Sequence, residues 1–194
     1  MYTKISALIL SFLIALCLLS TSCSTDKYNK QISQIDSLNA VLDSALKKLN
    51  TLDTTVVQSH FKEYSKNIKI IRENFKEKDN NEIWTVLTRY GMLKKPLRDF
   101  TNHYVKYSKQ ISFSRKQLSN LKADIKDNAV AKDKVLQYIG EEASFVNYIK
   151  ISVSDLIENT QNYNNQFLEL NPKVEKYFQN AKPSNVIDNN IDDD

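Results

Sequence analysis

Histidines and carboxylates are the first candidates for chemistry, because a helical bundle can hold a pair of metal ions between Glu and His side chains. Such a site takes Glu from two helices and a Glu-x-x-His motif from each of two others. The chain has two histidines. His60 precedes Glu63, which is the reverse order, and His103 follows Asp99 by four residues. We therefore predict structural or surface histidines, no metal site and no other cofactor.

Glu142 is the most distinctive carboxylate, since it falls in an apolar helical stripe between Ile139 and Val146. A buried glutamate at this position would have a raised pKa and could mark a polar site. The alternative is that the helix bends at Gly140, so that Glu142 reaches water or a partner lysine. Charged residues are seldom fully buried without a partner, which favours the alternative.

Aromatic residues on similar stripes form a second candidate site. Tyr104, Tyr107 and Tyr163 could line a pocket for an apolar or aromatic ligand. Large aromatic residues at helical spacing are more often ordinary core, although their hydroxyls still need water or a partner. The sequence contains no phosphate-binding glycine loop, nucleophile elbow or paired-cysteine metal motif. We predict no catalytic residues and no enzyme activity.

The segment RYGMLKKPLR carries the densest positive charge, with Arg89, Lys94, Lys95 and Arg98. An anionic lipid or polymer would be a functional partner for such a cluster. A solvated basic loop is the more ordinary interpretation, and we favour it, because basic charge of this size is common on soluble protein surfaces.

The segment LLSTSCSTDK, residues 18–27, raises a separate question about one cysteine. Cys23 follows an apolar run at residues 5–19, and this run is shorter than the roughly 20 apolar residues that cross a bilayer. A cleaved signal peptide therefore fits better than a permanent transmembrane helix. With Thr21, Ser22 and Cys23 at its end, and Ser20 where leucine is usual, the segment resembles the lipobox of bacterial lipoprotein precursors.

This resemblance implies that residues 1–22 are a signal peptide and that Cys23 carries lipid, which tethers the mature protein to a membrane. Cleavage before Cys23 would also remove Cys17, so that no internal disulfide could form. Many lipoproteins that stay in the inner membrane have aspartate directly after the lipidated cysteine, whereas this chain has Ser24. The resemblance therefore implies that the protein is sorted to the outer membrane, on either its periplasmic or its surface face. A location in the cell envelope argues against nucleic acid as a partner.

Helices are expected along most of the chain, because two glycines and three prolines leave few places for turns. Apolar residues advance by threes and fours over long stretches, and their seven-residue repeat indicates coiled-coil-like packing. The predicted helices span residues 27–52, 55–77, 80–90, 96–127, 129–170 and 172–181.

We predict an all-α fold in which the long helices form an antiparallel up-down bundle, with the short helix 80–90 packed across one end. An extended hairpin that completes its core by oligomerising is the alternative. The helical domain would cover residues 23–181. Residues 182–194 lack periodicity and end in three aspartates, which is typical of a disordered acidic tail.

These features lead to two hypotheses about function. The first is a non-enzymatic, lipid-anchored envelope protein that presents a bundle surface to another envelope protein or to a second copy of itself. The second is an envelope bundle of the sensory or carrier type that binds a small apolar or aromatic ligand. A cavity among the three tyrosines, or a Glu142 that faces one, would favour the second hypothesis.

Overall fold

The computed structural model describes residues 28–74 and 81–180, in which α helices are the only regular secondary structure. The helices of this described part are α1 (Asn29–Leu49), α2 (Thr54–Asn74), α3 (Asn81–Met92), α4 (Lys94–Lys126) and α5 (Lys132–Asn180). The protein is all-α and its helices pack as a bundle, as predicted. None of the helices in these ranges is both long and apolar enough to cross a membrane. The predicted signal peptide 1–22 and tail 182–194 lie outside the described residues.

Local side-chain chemistry determines where α2 begins. Asp53 Oδ1 accepts hydrogen bonds from the backbone N–H groups of Thr55 (2.9 Å) and Val56 (3.2 Å), which have no partners within the helix. The Thr55 hydroxyl donates to the same oxygen at 2.6 Å. This hydroxyl, together with the two backbone donors, holds the pKa of Asp53 below its usual value. Asp53 is therefore the N-cap of α2.

Asn128 ends α4 in a left-handed backbone conformation, with φ of 53°. The Ala129 N–H donates to the Asp124 carbonyl at 2.8 Å, and the Asn128 N–H donates to the Ile125 carbonyl at 3.2 Å. This pair of bonds is the Schellman arrangement, which satisfies carbonyls at a helix C-terminus. Asparagine adopts the left-handed conformation more readily than most residues, which explains why the chain turns here without glycine.

The predicted boundary between helices 129–170 and 172–181 is wrong, because α5 continues through Pro172. Proline lacks an N–H group, so it leaves the Leu168 carbonyl without its usual partner at a cost of about 3 kcal/mol. Apolar residues keep their helical spacing across the proline, and their burial offsets this cost. These buried residues are Phe167, Leu170, Val174 and Phe178.

The chain divides into two compact units, of which unit 1 contains residues 28–46 and 109–150. Within unit 1, α1 and α4 run antiparallel, because Asp36 pairs with Lys122 while Asp43 pairs with Arg115. These exposed ion pairs contribute little, and burial of apolar side chains supplies most of the stability. Buried apolar residues of this unit include Ile35, Leu42, Ala45, Ile111, Leu118, Leu121, Ile125, Val135, Ile139, Val146 and Ile149.

Unit 2 contains residues 47–74, 81–108 and 151–180. Its α2 and the second half of α5 run in the same direction, because the contacts of His60 with Asn164 and of Asn67 with Asn171 both join residues 104 positions apart. The core of this unit consists of Val57, Tyr64, Tyr90, Leu93, Leu97, Phe100, Phe167, Leu170, Val174 and Phe178.

Candidate functional site

The described residues that the sequence suggested as sites belong to different units of the chain. Cys23 lies outside the described residues. Glu142 belongs to unit 1, whereas Tyr104, Tyr107 and Tyr163 belong to unit 2.

Each of the three tyrosines has surroundings of its own. The Tyr104 hydroxyl donates to Asn50 Oδ1 at 3.2 Å. The Tyr107 ring stacks near His103, with centroids 6.2 Å apart, and Lys106 Nζ lies 5.6 Å from the Tyr107 centroid. Tyr163 packs, partly buried, against the core of unit 2. Among the described ring contacts, no two of these three tyrosines stack on each other.

Glu142 is a partly buried acid within unit 1. Its Oε2 is shielded from solvent, and the fully buried Ser114 lies nearby on α4. Burial raises the pKa of the Glu142 carboxyl, Ser114 opposes this rise, and the neighbouring charge of Glu141 adds to it. Ser114 Oγ and Glu142 Oε2 nevertheless form no hydrogen bond of normal geometry. Burial without a hydrogen bond at Oε2 therefore favours the protonated form of Glu142.

Glu142→Gln is expected to raise the free energy of unfolding at neutral pH by about 0.5–1 kcal/mol, because glutamine is neutral where burial disfavours a charged carboxylate. The effect is small because solvent screens a carboxylate that is partly exposed. A folded-state pKa above the usual 4.5 means that the folded chain holds this proton more tightly than the unfolded chain does. In the unmodified chain, the proton on Glu142 therefore stabilises the folded state fully below pH 4.5, and this stabilisation is lost as the pH rises through the folded-state pKa.

The measurement is the urea midpoint of both proteins as a function of pH. The two midpoints should converge in acid and separate at neutral pH. Glu158→Gln, at an exposed position of α5, serves as the control and should leave the midpoint unchanged. A Glu142→Gln midpoint at or below that of the unmodified chain at neutral pH would contradict the assignment of a strained carboxylate.

A buried hydrogen-bond network in unit 2 is the most developed polar feature of the described structure. Asn171 Oδ1, on α5, accepts from the Tyr90 hydroxyl of α3 at 2.6 Å and from Asn67 Nδ2 of α2 at 2.9 Å. Tyr90 is fully buried, and both asparagines are 5% exposed. One amide oxygen therefore connects three helices inside the core.

Two carboxylates lie beside this network and accept from its amides. Asn171 Nδ2 donates to Glu63 Oε1 at 2.8 Å and to Glu175 Oε1 at 3.4 Å. Asn67 Nδ2 also donates to Glu175 Oε1 at 3.4 Å. The buried amides thus find strong acceptors at the partly buried edge of the unit.

The phenols of the network are held in their protonated forms. Burial raises the pKa of Tyr90 well above its usual value, with the nearby Glu63 adding to the rise and Asn67 opposing it. Burial likewise raises the pKa of Tyr64, against the opposing charge of Arg72. The Tyr64 hydroxyl makes a longer contact, 3.4 Å, with the Gly91 carbonyl. Both tyrosines are therefore hydrogen-bond donors at neutral pH.

His60 adjoins the same core in a structural role. Its ring stacks on Phe167 with centroids 4.4 Å apart, and its Nδ1 lies 3.1 Å from Asn164 Oδ1. His103 is exposed. Among the described residues, no group of three or more His, Cys, Asp or Glu side chains is arranged to hold a metal ion.

The basic cluster is partly neutralised by ion pairs. Arg89 and Lys173 both bind Glu169, and their hydrogen bonds lower the pKa of Glu169 to about 2. Arg98 pairs with its neighbour Asp99 at 2.7 Å. These pairs lie on the surface, where their contribution to stability is small.

The chemistry available to the buried network is hydrogen bonding that fixes the register of α2, α3 and α5. Asn67, Tyr90 and Asn171 were not predicted from the sequence as members of a site. A signal was nevertheless present, because Asn67 follows Tyr64 by three residues and Tyr90 follows Leu87 by three, so both continue apolar stripes.

Comparisons with family models, with curated proteins and with solved structures found no match for this chain.

Proposed function

We propose that this chain is a lipid-anchored protein of the cell envelope whose helical body has a non-enzymatic structural or interaction role. The observation that carries the proposal is the position of Cys23, between the apolar run 5–19 and a helical body in which α1 begins at Asn29. A lipid on this cysteine would tether the body close to a membrane surface.

Cysteine usage supports the same assignment. Signal cleavage before Cys23 removes Cys17 and leaves a single thiol, which is a liability in an oxidising compartment. Acylation removes that liability. Ser24 at the next position favours sorting to the outer membrane, because the resemblance to lipoproteins associates aspartate there with retention in the inner membrane.

Exposed apolar side chains support an interaction role for the body. Single exposed apolar residues are normal on any protein, whereas residues grouped on one face point to a partner. On α5, Tyr138, Phe145 and Tyr148 follow helical spacing, the first and last are at least 40% exposed, and the rings of Phe145 and Tyr148 are 6.2 Å apart. A second envelope protein or a second copy of the chain are the partners that we propose.

Cys23→Ala is the variant that tests the anchor. It removes the thiol that would be acylated, so cells producing it should incorporate no labelled palmitate into the protein and should accumulate a larger, uncut precursor. Cys17→Ala is the matched control and should be labelled and processed like the unmodified chain. If the Cys23→Ala protein matures normally and is released in soluble form, the anchor proposal is wrong.

A further inference from the structure

The outer side of α3 differs from an ordinary solvated helix surface. Tyr90, Leu93 and Leu97 are buried and keep a spacing of three and four residues across the junction of α3 with α4. The opposite side of α3 carries Trp84 and Met92, which are 46% and 68% exposed. A large aromatic side chain, about half exposed, and a mostly exposed flexible apolar side chain therefore lie eight residues apart, slightly more than two helical turns along α3.

Two lysines follow directly at the start of α4. Lys94 and Lys95 are both exposed, and neither forms an ion pair with a described residue. The arginines of the same cluster are already engaged, Arg89 with Glu169 and Arg98 with Asp99. The charge of the lysines is thus available for an external anion. We call Trp84, Met92, Lys94 and Lys95 the α3 outer face.

This combination of side chains matches the chemistry of a membrane surface. Tryptophan is enriched at the depth of the lipid headgroups because its ring is apolar and its N–H is polar. Lysine side chains attract anionic headgroups while their methylene stems lie along apolar surface. Methionine adapts its shape to irregular apolar surroundings.

We propose that the α3 outer face binds a membrane surface that contains anionic lipid. Charge complementarity favours lipid headgroups as the occupant, because both lysines are exposed and the carboxylate that Lys95 interacts with, Asp99, is already paired with Arg98. The inference does not depend on acylation of Cys23, and it adds a second membrane contact, made by unit 2, to the one proposed at the N-terminus.

The interior of unit 2 makes this surface rigid. Tyr90 lies on the buried side of α3, and its hydroxyl is bonded to Asn171 of α5 at 2.6 Å. Leu93, at the junction of α3 and α4, is fully buried. Binding at the outer face therefore requires no rearrangement of the helix that carries it.

Trp84 makes the test direct, because it is the only tryptophan of the chain. The full-length protein would be reconstituted, through its own N-terminal segment, into vesicles of phosphatidylcholine alone or with added phosphatidylglycerol. With phosphatidylglycerol, Trp84 emission should shift to the blue and should be quenched by lipids brominated near the headgroup. High salt should reverse the shift, because it screens the attraction. With phosphatidylcholine alone, the emission should stay that of an exposed indole.

Two double variants distinguish binding through the α3 outer face from nonspecific attraction of a basic protein to anionic lipid. Lys94→Gln combined with Lys95→Gln should weaken docking about 25-fold, since each lysine near an anionic surface contributes about fivefold. Lys116→Gln combined with Lys126→Gln changes two exposed lysines of unit 1 and should leave the shift intact. An equal loss in both double variants would overturn the proposal.

Two other outcomes would also overturn it. Identical Trp84 emission in the two kinds of vesicle, without quenching, would exclude the lipid surface. Emission that shifts only when envelope proteins are added to the vesicles would assign the α3 outer face to a protein partner instead. Palmitate labelling of Cys23 is read separately, so failure of one proposal leaves the other standing.

Discussion

Phe167→Ala is expected to lower the free energy of unfolding by about 4 kcal/mol, the usual cost of removing a buried aromatic ring. Phe167 is 2% exposed and belongs to the core of unit 2. Its ring stacks on His60 at 4.4 Å and lies 6.2 Å from Tyr90. Truncation would remove these contacts and leave a cavity that the surrounding helices cannot fully close.

The neighbouring residue supplies the control for this prediction. Leu168 is 61% exposed, so Leu168→Ala removes little buried surface and should change the urea midpoint only slightly. The two variants differ by one position on α5 and so test which side of the helix faces the core. Similar midpoints for the two variants would show that the described packing of α5 is wrong.

Asn171→Leu is expected to destabilise the chain by about 3 kcal/mol, because it removes both the acceptor and the donor at the centre of the buried network. The Tyr90 hydroxyl would lose its acceptor at 2.6 Å, and Glu63 would lose the amide that donates to it at 2.8 Å. Buried polar groups that lose their partners cost more than the lost hydrogen bonds alone. Urea unfolding followed by circular dichroism measures the effect.

Asn165→Leu is the matched control, since Asn165 is an exposed asparagine on the same helix. It makes the same chemical change without removing a buried partner, and its midpoint should stay close to that of the unmodified chain. If Asn171→Leu left the stability unchanged or raised it, the network would not hold the three helices in register.

The helical fold could be predicted because apolar residues repeat every three or four positions and because glycine and proline are scarce. The spacing of Ile35, Leu42 and Leu49 on α1 predicted their burial, and all three are fully buried. The turn after α4 was predictable for a related reason, since the apolar pattern lapses at Asn128.

The continuity of α5 could not be read from local propensity, because proline usually ends a helix. Pro172 is tolerated because Leu170 and Val174 are both fully buried on either side of it. Tertiary packing overrides the local preference in such a case, and the size of that packing term depends on neighbours that are distant in sequence.

The polar interior was harder to anticipate, since an asparagine on an apolar stripe gives no indication of its partner. Asn67 and Asn171 meet across 104 residues, a pairing that follows only from the packing of α2 on α5. The sequence did indicate Glu142, but not that the buried Ser114 would lie beside it.

The proposed lipid anchor on Cys23 can be tested directly by intact-mass spectrometry of the protein extracted in detergent from its native envelope. We predict a chain that begins at Cys23, lacks residues 1–22 and carries the added mass of acyl chains on that first residue. A mature chain that begins elsewhere, or one in which Cys23 is present without acyl mass, would contradict it.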